Sequence, residues 1–240
     1  MNLSPNKVVA IHQPNFFPWL GYFNKIARAG LFLIMDNAQF PKKGGTWLNR
    51  VRLIVNGQPA WVTMPVARAY HGLRRIDQMQ LDETAKWRAK LLKSIETNYG
   101  RAPFFSDVFP LLAELINDPT NDLTKYNVSA ITALAKALRL ETSDIVLGST
   151  LNVEGNATDL LISMVKVVGG TAYLCGHGAG GYQEDGKFSD QGLQLIYQNF
   201  EHPVYPQNGV EEFIPGLSIV DALMNCGFEQ THALVTPSEV

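Results

Sequence analysis

Cysteine is nearly absent from this chain. Its 240 residues hold only Cys175 and Cys226, with no Cys-x-x-Cys pair. That excludes a disulfide framework, and a reduced, cytoplasmic compartment fits best. A basic excess is lacking too. A net charge of −2 offers no field for a nucleic-acid duplex. No apolar run reaches the length needed to span a bilayer, and residues 1–7 lack the long apolar centre of a signal peptide. Neither a membrane nor export is therefore expected. The five histidines are scattered, with no His-x-x-x-His or His-Glu-x-x-His helix, so no metal is expected. No Gly-x-x-x-x-Gly-Lys-Ser/Thr stretch occurs, which excludes a P-loop, and no cofactor is expected. Repeats, low-complexity tracts and long linkers are missing as well.

What is present is enough apolar sequence, 46%, to bury a sizeable core. Val8-Val9-Ala10-Ile11 reads as a buried strand over 7–12, followed by a helix over 18–29. Leu31 to Met35 is a second buried strand, ending in Asp36. Strand, helix and strand in that order predict a parallel pair with a right-handed crossover. Two β-rich runs, Val51–Val55 and Ala60–Pro65, flank Asn56-Gly57, a strong hairpin signal. Helices are predicted at roughly 84–98, 104–117, 122–138 and 157–168, and strands at 145–147, 171–174 and 193–197. A closing helix runs from Leu217 to Asn225, with Gly216 or Ser218 near its cap and Gly227 near its end. The expectation is one α/β domain over 1–230. It has a Rossmann-like parallel sheet core, a β-hairpin, a helical insert at about 84–140, and a weakly ordered tail over 231–240.

The densest motif is His12-Gln13-Pro14-Asn15-Phe16-Phe17-Pro18-Trp19-Leu20-Gly21-Tyr22-Phe23. It links the first strand to the first helix, and Pro18 suits a helix's first turn. In α/β proteins ligands bind where strand carboxyl ends open onto helix N-termini. His12 is therefore a candidate general base, its ordinary pKa lying close to working pH. Gln13 is a candidate ligand for a substrate carbonyl or hydroxyl, and Trp19 and Tyr22 are candidate walls. The competing view is a rigid aromatic plug over the core. Asp36 would bind a hydroxyl, a metal or an amine, or else cap the next turn; Gln39 and Phe40 extend its block. Phe40 or Trp47 would stack on a sugar or base. Lys42, Lys43, Asn49, Arg50 and Arg52 form the densest basic cluster, and the planar fork of Arg50 suits phosphate or carboxylate. Strand alternation puts Arg50 and Arg52 on one face, with a solvated edge as the bland alternative.

Cys175 to Tyr182 is a glycine-rich loop after a strand. Its backbone N–H groups, including that of Gly176, would cradle an anion. Cys175 and His177 are close enough in sequence to act as nucleophile and base, though a buried structural thiol explains Cys175 as well. In His202-Pro203-Val204-Tyr205-Pro206-Gln207 the prolines favour extended backbone. Tyr205 and Gln207 would close over a ligand, or the segment would tether the core.

Several blocks together resemble the WbqC-like protein family. They are the 12–23 motif, Asp36-Asn37-Ala38-Gln39-Phe40 with Asn49-Arg50-Val51-Arg52, and Asn98 to Phe105. Tyr173-Leu174-Cys175-Gly176 with Tyr182, and His202 to Gln207 with Phe213-Ile214-Pro215 and Leu217 to Asp221, complete the set. They span almost the whole chain in order. Cys175 departs from the pattern, standing where serine is common, which weakens any mechanism that needs a thiolate there. The resemblance implies bacterial surface-polysaccharide and amino-sugar pathways. It suggests transfer of a glycyl or other acyl group to a small-molecule substrate, a nucleotide-linked amino sugar.

Three other readings stay open. A nucleotidylyl-transferase-like enzyme fits the strand–helix–strand layout but lacks the second histidine of a His-x-Gly-His arrangement. A cysteine hydrolase or thioester-using acyltransferase would rest on Cys175. A non-catalytic binding or scaffold protein of a polysaccharide assembly would show a stable complex and no turnover. Whether the chain forms a homo-oligomer is not legible.

Overall fold

The computed structural model describes residues 7–42, 46–140, 144–176 and 183–236. Five parallel strands form the central sheet: β1 (Val8–His12), β2 (Leu31–Ile34), β5 (Ile145–Leu147), β6 (Ala172–Cys175) and β7 (Gln194–Tyr197). Their spatial order is β5-β2-β1-β6-β7. The chain thus builds outward from β1 in one direction, then returns to build outward in the other. The switch falls between β1 and β6, which pair directly. Such a point leaves a crevice beyond the strands' carboxyl ends, because the connections on either side diverge.

A second, two-stranded sheet is the antiparallel hairpin β3 (Arg50–Val55) and β4 (Gln58–Thr63). Asn56 and Gly57 turn it, both with positive φ. Three helices follow, α2 (Trp87–Tyr99), α3 (Phe105–Ile116) and α4 (Leu123–Ala137). Hairpin and helices together form the insert between β2 and β5. The remaining helices are α1 (Leu20–Arg28), α5 (Ala157–Val167), α6 (Asp185–Asp190) and α7 (Ile219–Val235).

Strand alternation divides the core between the two faces of the sheet. Ala10, Phe32, Ile34 and Leu174 face α1, α7, the hairpin and the insert. Val9, Ile11, Leu33 and Tyr173 face Leu161 and Val165 of α5 and Phe188 of α6.

The sequence placed every strand to within two residues at either end. It missed the short α6, whose six residues are too few for a periodic signal. The end of the chain also needs correction. The closing helix does not stop at Asn225: Gly227, with φ 72°, breaks it, and a second stretch continues to Val235. Thr231 and Val235 are fully buried, so residues 231–235 are packed helix rather than tail. Pro18 is not in the first helical turn either; it precedes Trp19, the N-cap of α1.

Candidate active site

The turn after β1 is tightly determined. Phe17 holds φ at 38°, a costly left-handed value for a residue with a Cβ. Its surroundings fix it there. Asn127 of α4 donates to the carbonyls of Pro14 and Leu48 at 2.8 and 2.7 Å. Ser218 Oγ donates to the Phe17 carbonyl at 2.7 Å, and the Phe16 amide donates to Trp47 at 2.8 Å. Phe16, Phe17 and Phe23 are buried. The turn is therefore an aromatic plug on its apolar side, which anchors it, while its polar side faces a crevice.

Two cavities open at that crevice, of about 500 Å³ and 420 Å³. His12, Gln13, Lys25 and Gly176 line both. The first extends over Leu160 and Leu161 of α5, the second past Trp19, Trp47 and His202. Each has the size of a small-molecule site. No carboxylate is among the described residues lining either one, and α1, whose N-terminus opens here, has no acid in its first turn.

Lys25 lies where the two cavities meet, and the sequence reading missed it. The residue is 3% exposed. Among the described residues its ammonium has one hydrogen bond, to the Ile11 carbonyl at 3.2 Å. Burial pulls its pKa down to about 8, with Cys175 opposing the shift. A Cβ on Gly176 would lie 4.0 Å from Lys25 Nζ. The available signal was helical spacing: Lys25 lies four residues after Gly21 and three after Tyr22, on the face that the motif itself turns inward.

The expected base, His12, is differently placed. Its ring packs against Trp19 and Tyr22, with centroids at 5.6 and 4.6 Å. Burial, helped by the nearby Lys25, holds its pKa down at about 3. It is a neutral imidazole at working pH rather than a general base of ordinary strength. Nδ1 donates to the Gln13 carbonyl at 3.1 Å, which leaves Nε2 as an acceptor. Tyr22 also donates to that carbonyl, at 3.0 Å, so its hydroxyl positions Gln13. The half-buried Gln13 side chain lines both cavities.

Other candidates separate from this centre. Asp36 is buried, and Ser149 occupies both of its oxygens at 2.8 and 2.6 Å. It clamps the turn after β5 and lines neither cavity, so no catalytic role is carried forward for it. Gln39 is exposed and pairs through its backbone with Arg75. Phe40 is fully buried, which removes it as a stacking surface. Asn49 is buried and donates to the Met64 carbonyl at 2.9 Å. Gln207 is bonded to Asp221, Tyr205 and Ile214 and is structural; the cavity it borders shares no residue with the two at the sheet edge. Cys175 is buried on β6, and burial raises its thiol pKa despite Lys25 and a Gln183 hydrogen bond. A thiolate nucleophile does not fit that environment. Gly176 is at the centre; His177 and Tyr182 lie outside the described residues.

Arg50 and Arg52 do share one face of β3, as alternation required, with Val51 and Leu53 buried on the other. From the late extended segment it is His202, not Tyr205 or Gln207, that reaches the cavity. Among the described residues, no helix is long and apolar enough to cross a membrane.

The model of the WbqC-like protein family matches residues 13–233 of this chain. An uncharacterized protein of Mycobacterium tuberculosis is 28% identical over 229 residues, covering 93% of this chain and 95% of its own length. No solved structure matches.

Proposed function

The chain belongs to the WbqC-like protein family, and from that premise we propose that it is a small-molecule transferase of surface-polysaccharide and amino-sugar biosynthesis. It moves a glycyl or other acyl group from an activated donor to the amine of a nucleotide-linked amino sugar. The observation that carries this reading is Lys25, a buried amine where two cavities meet, with its pKa drawn down to about 8.

Acyl transfer to nitrogen has one strict requirement. The attacking amine must be neutral, and it must lose a proton after attack. At pH 7 an amine of pKa about 8 is free base in about a tenth of molecules, whereas an ordinary lysine is almost wholly protonated. Lys25 accepts the proton from the attacking nitrogen as the new N–C bond forms and the bond to the leaving group breaks. The Gln13 amide N–H stabilises the negative charge that develops on the carbonyl oxygen. Neutral His12 holds the Gln13 backbone and offers Nε2 to a substrate hydroxyl. The two cavities accommodate donor and acceptor on either side of Lys25.

The test is turnover. Purified protein is incubated with acyl-thioester or aminoacyl donors and nucleotide-linked amino sugars, and the sugar is weighed by mass spectrometry. Gain of the acyl mass, lost in Lys25→Met while the fold persists, supports the reading. No mass gain with any pairing, or full turnover by Lys25→Met, sinks it.

A further inference from the structure

Beyond the second cavity the surface continues as a strip of rings and cations. Trp19 stands 5.0 Å from Trp47 between centroids, and Trp47 4.9 Å from Trp61 of β4. The Arg50 guanidinium lies 4.2 Å above the Trp61 ring. Arg52 is directly opposite Trp61 in the hairpin register, so both side chains share Arg50's face. A second route joins the same places: a Cβ on Gly216 would lie 3.8 Å from His202 Nε2 and 4.0 Å from Arg52 Nη1. His202 lines the second cavity, and Arg52 lies just across Gly216 from it.

Neither Arg50 nor Arg52 takes part in an ion pair among the described residues. Arg50 Nε is buried without a hydrogen-bond partner among the described residues. Trp61 is 43% exposed, one of the few large apolar side chains so placed. A solvated edge strand explains scattered positive charge. It does not explain a guanidinium placed over a tryptophan ring with a donor left buried and unused, since such a donor costs about 1–3 kcal/mol unless something accepts from it. Guanidinium forks suit phosphate, and exposed indole faces suit planar bases.

We propose that the outward face of the hairpin, with Trp47 and His202, is the subsite for the nucleoside diphosphate of the substrate. Arg50 and Arg52 hold the diphosphate, and Trp47 and Trp61 stack on the base. The strip continues from the cavity that Lys25 lines, so the sugar's amine reaches Lys25 while its carrier lies on β3 and β4. Placing an amino sugar at the inner end rests on the transferase reading; the diphosphate and base contacts do not.

Uridine diphosphate and inorganic pyrophosphate, titrated calorimetrically into the full chain, test this. Wild type binds uridine diphosphate, and binds pyrophosphate at least tenfold more weakly because the ring contacts are missing. Arg52→Ala and Arg50→Ala each weaken uridine diphosphate at least tenfold, and Trp61→Ala about fivefold. Trp61→Ala does not alter the melting temperature, since its ring is at the surface. The proposal is overturned if wild type fails to bind uridine diphosphate, if pyrophosphate binds equally well, or if the hairpin variants bind unchanged. Failure of acyl transfer with hairpin-dependent binding intact would remove the transferase reading and leave this subsite standing.

Discussion

Two buried ionisable side chains, Lys25 and Asp221, lie on the same side of the central sheet and are treated in opposite ways. Asp221 of α7 accepts from Tyr99 at 3.0 Å, Tyr205 at 2.8 Å and Gln207 at 3.0 Å. Those donors come from α2 and from the extended segment before α7, so the carboxylate ties together parts of the chain more than 100 residues apart. Among the described residues Lys25 has one hydrogen bond, to a carbonyl, and a cavity on two sides. A buried charge surrounded by partners organises structure. A buried charge left with one partner and open space costs stability, and it persists where its altered proton affinity is used.

The largest effect that would break this contrast is on turnover. Lys25→Met is expected to lower acyl transfer by about 10²–10⁴-fold, the range for loss of a positioned base. The same variant should be more stable than wild type at pH 7, by roughly 1–3 kcal/mol, because the folded state no longer disfavours a proton that the unfolded chain holds near 10.5. Wild-type stability should accordingly rise between about pH 8 and 10.5, and the variant's should not. Urea unfolding at pH 7 and 10 measures both. A less stable Lys25→Met would show the lysine to be a structural residue like Asp221.

Asp221→Ala should do the reverse. Three donors lose their acceptor, and the expected cost is about 3–5 kcal/mol in urea unfolding. Uridine diphosphate affinity should survive in the fraction that folds. Gly21→Ala is a smaller change between the two regions. Its Cβ would meet Phe200 and Trp19 at 2.8 Å each, walls of the second cavity. A cost of about 1–3 kcal/mol is expected, with ligand affinity reduced more than fold stability.

A further effect is a pH slope. His12 refuses its proton down to about pH 3 in the folded state, whereas the unfolded chain takes it up near 6.5. Stability therefore falls as pH drops from about 6.5 towards 3, over the window in which only the unfolded chain is protonated. Unfolding midpoints at pH 7, 5 and 4 should show this decline, and His12→Gln should flatten it. An unchanged slope would mean that the ring is more open to water than its packing against Trp19 and Tyr22 implies.

Legibility differed between these regions for definite reasons. The strip on β3 could be read in advance, because a strand's period of two fixes which side chains share a face, and Arg50 and Arg52 obeyed it. The Asp221 network could not. Gln207 and Tyr205 looked like a polar tip above a ligand because nothing local says that α7 will pass beneath them. Asp36 was read correctly as the end of a strand, but its choice between a ligand and a structural partner could not be read, since Ser149 is 113 residues away. Lys25 was passed over because lysine in a short amphipathic helix is ordinarily solvated.

The sequence by itself determined the parallel core, the hairpin turned at Asn56-Gly57, the helical insert and the place where β1 opens onto α1. Those follow from periodicity, turn chemistry and the stiffness of proline, which act within a few residues. Only the tertiary structure decided which polar groups are used up and which are left facing space. It set β6 beside β1, buried Lys25 at the switch between them and gave Asp36, Asn49 and Gln207 partners elsewhere. Satisfaction of a buried polar atom depends on whatever neighbour the whole fold brings within 3 Å, and local sequence does not encode that distance.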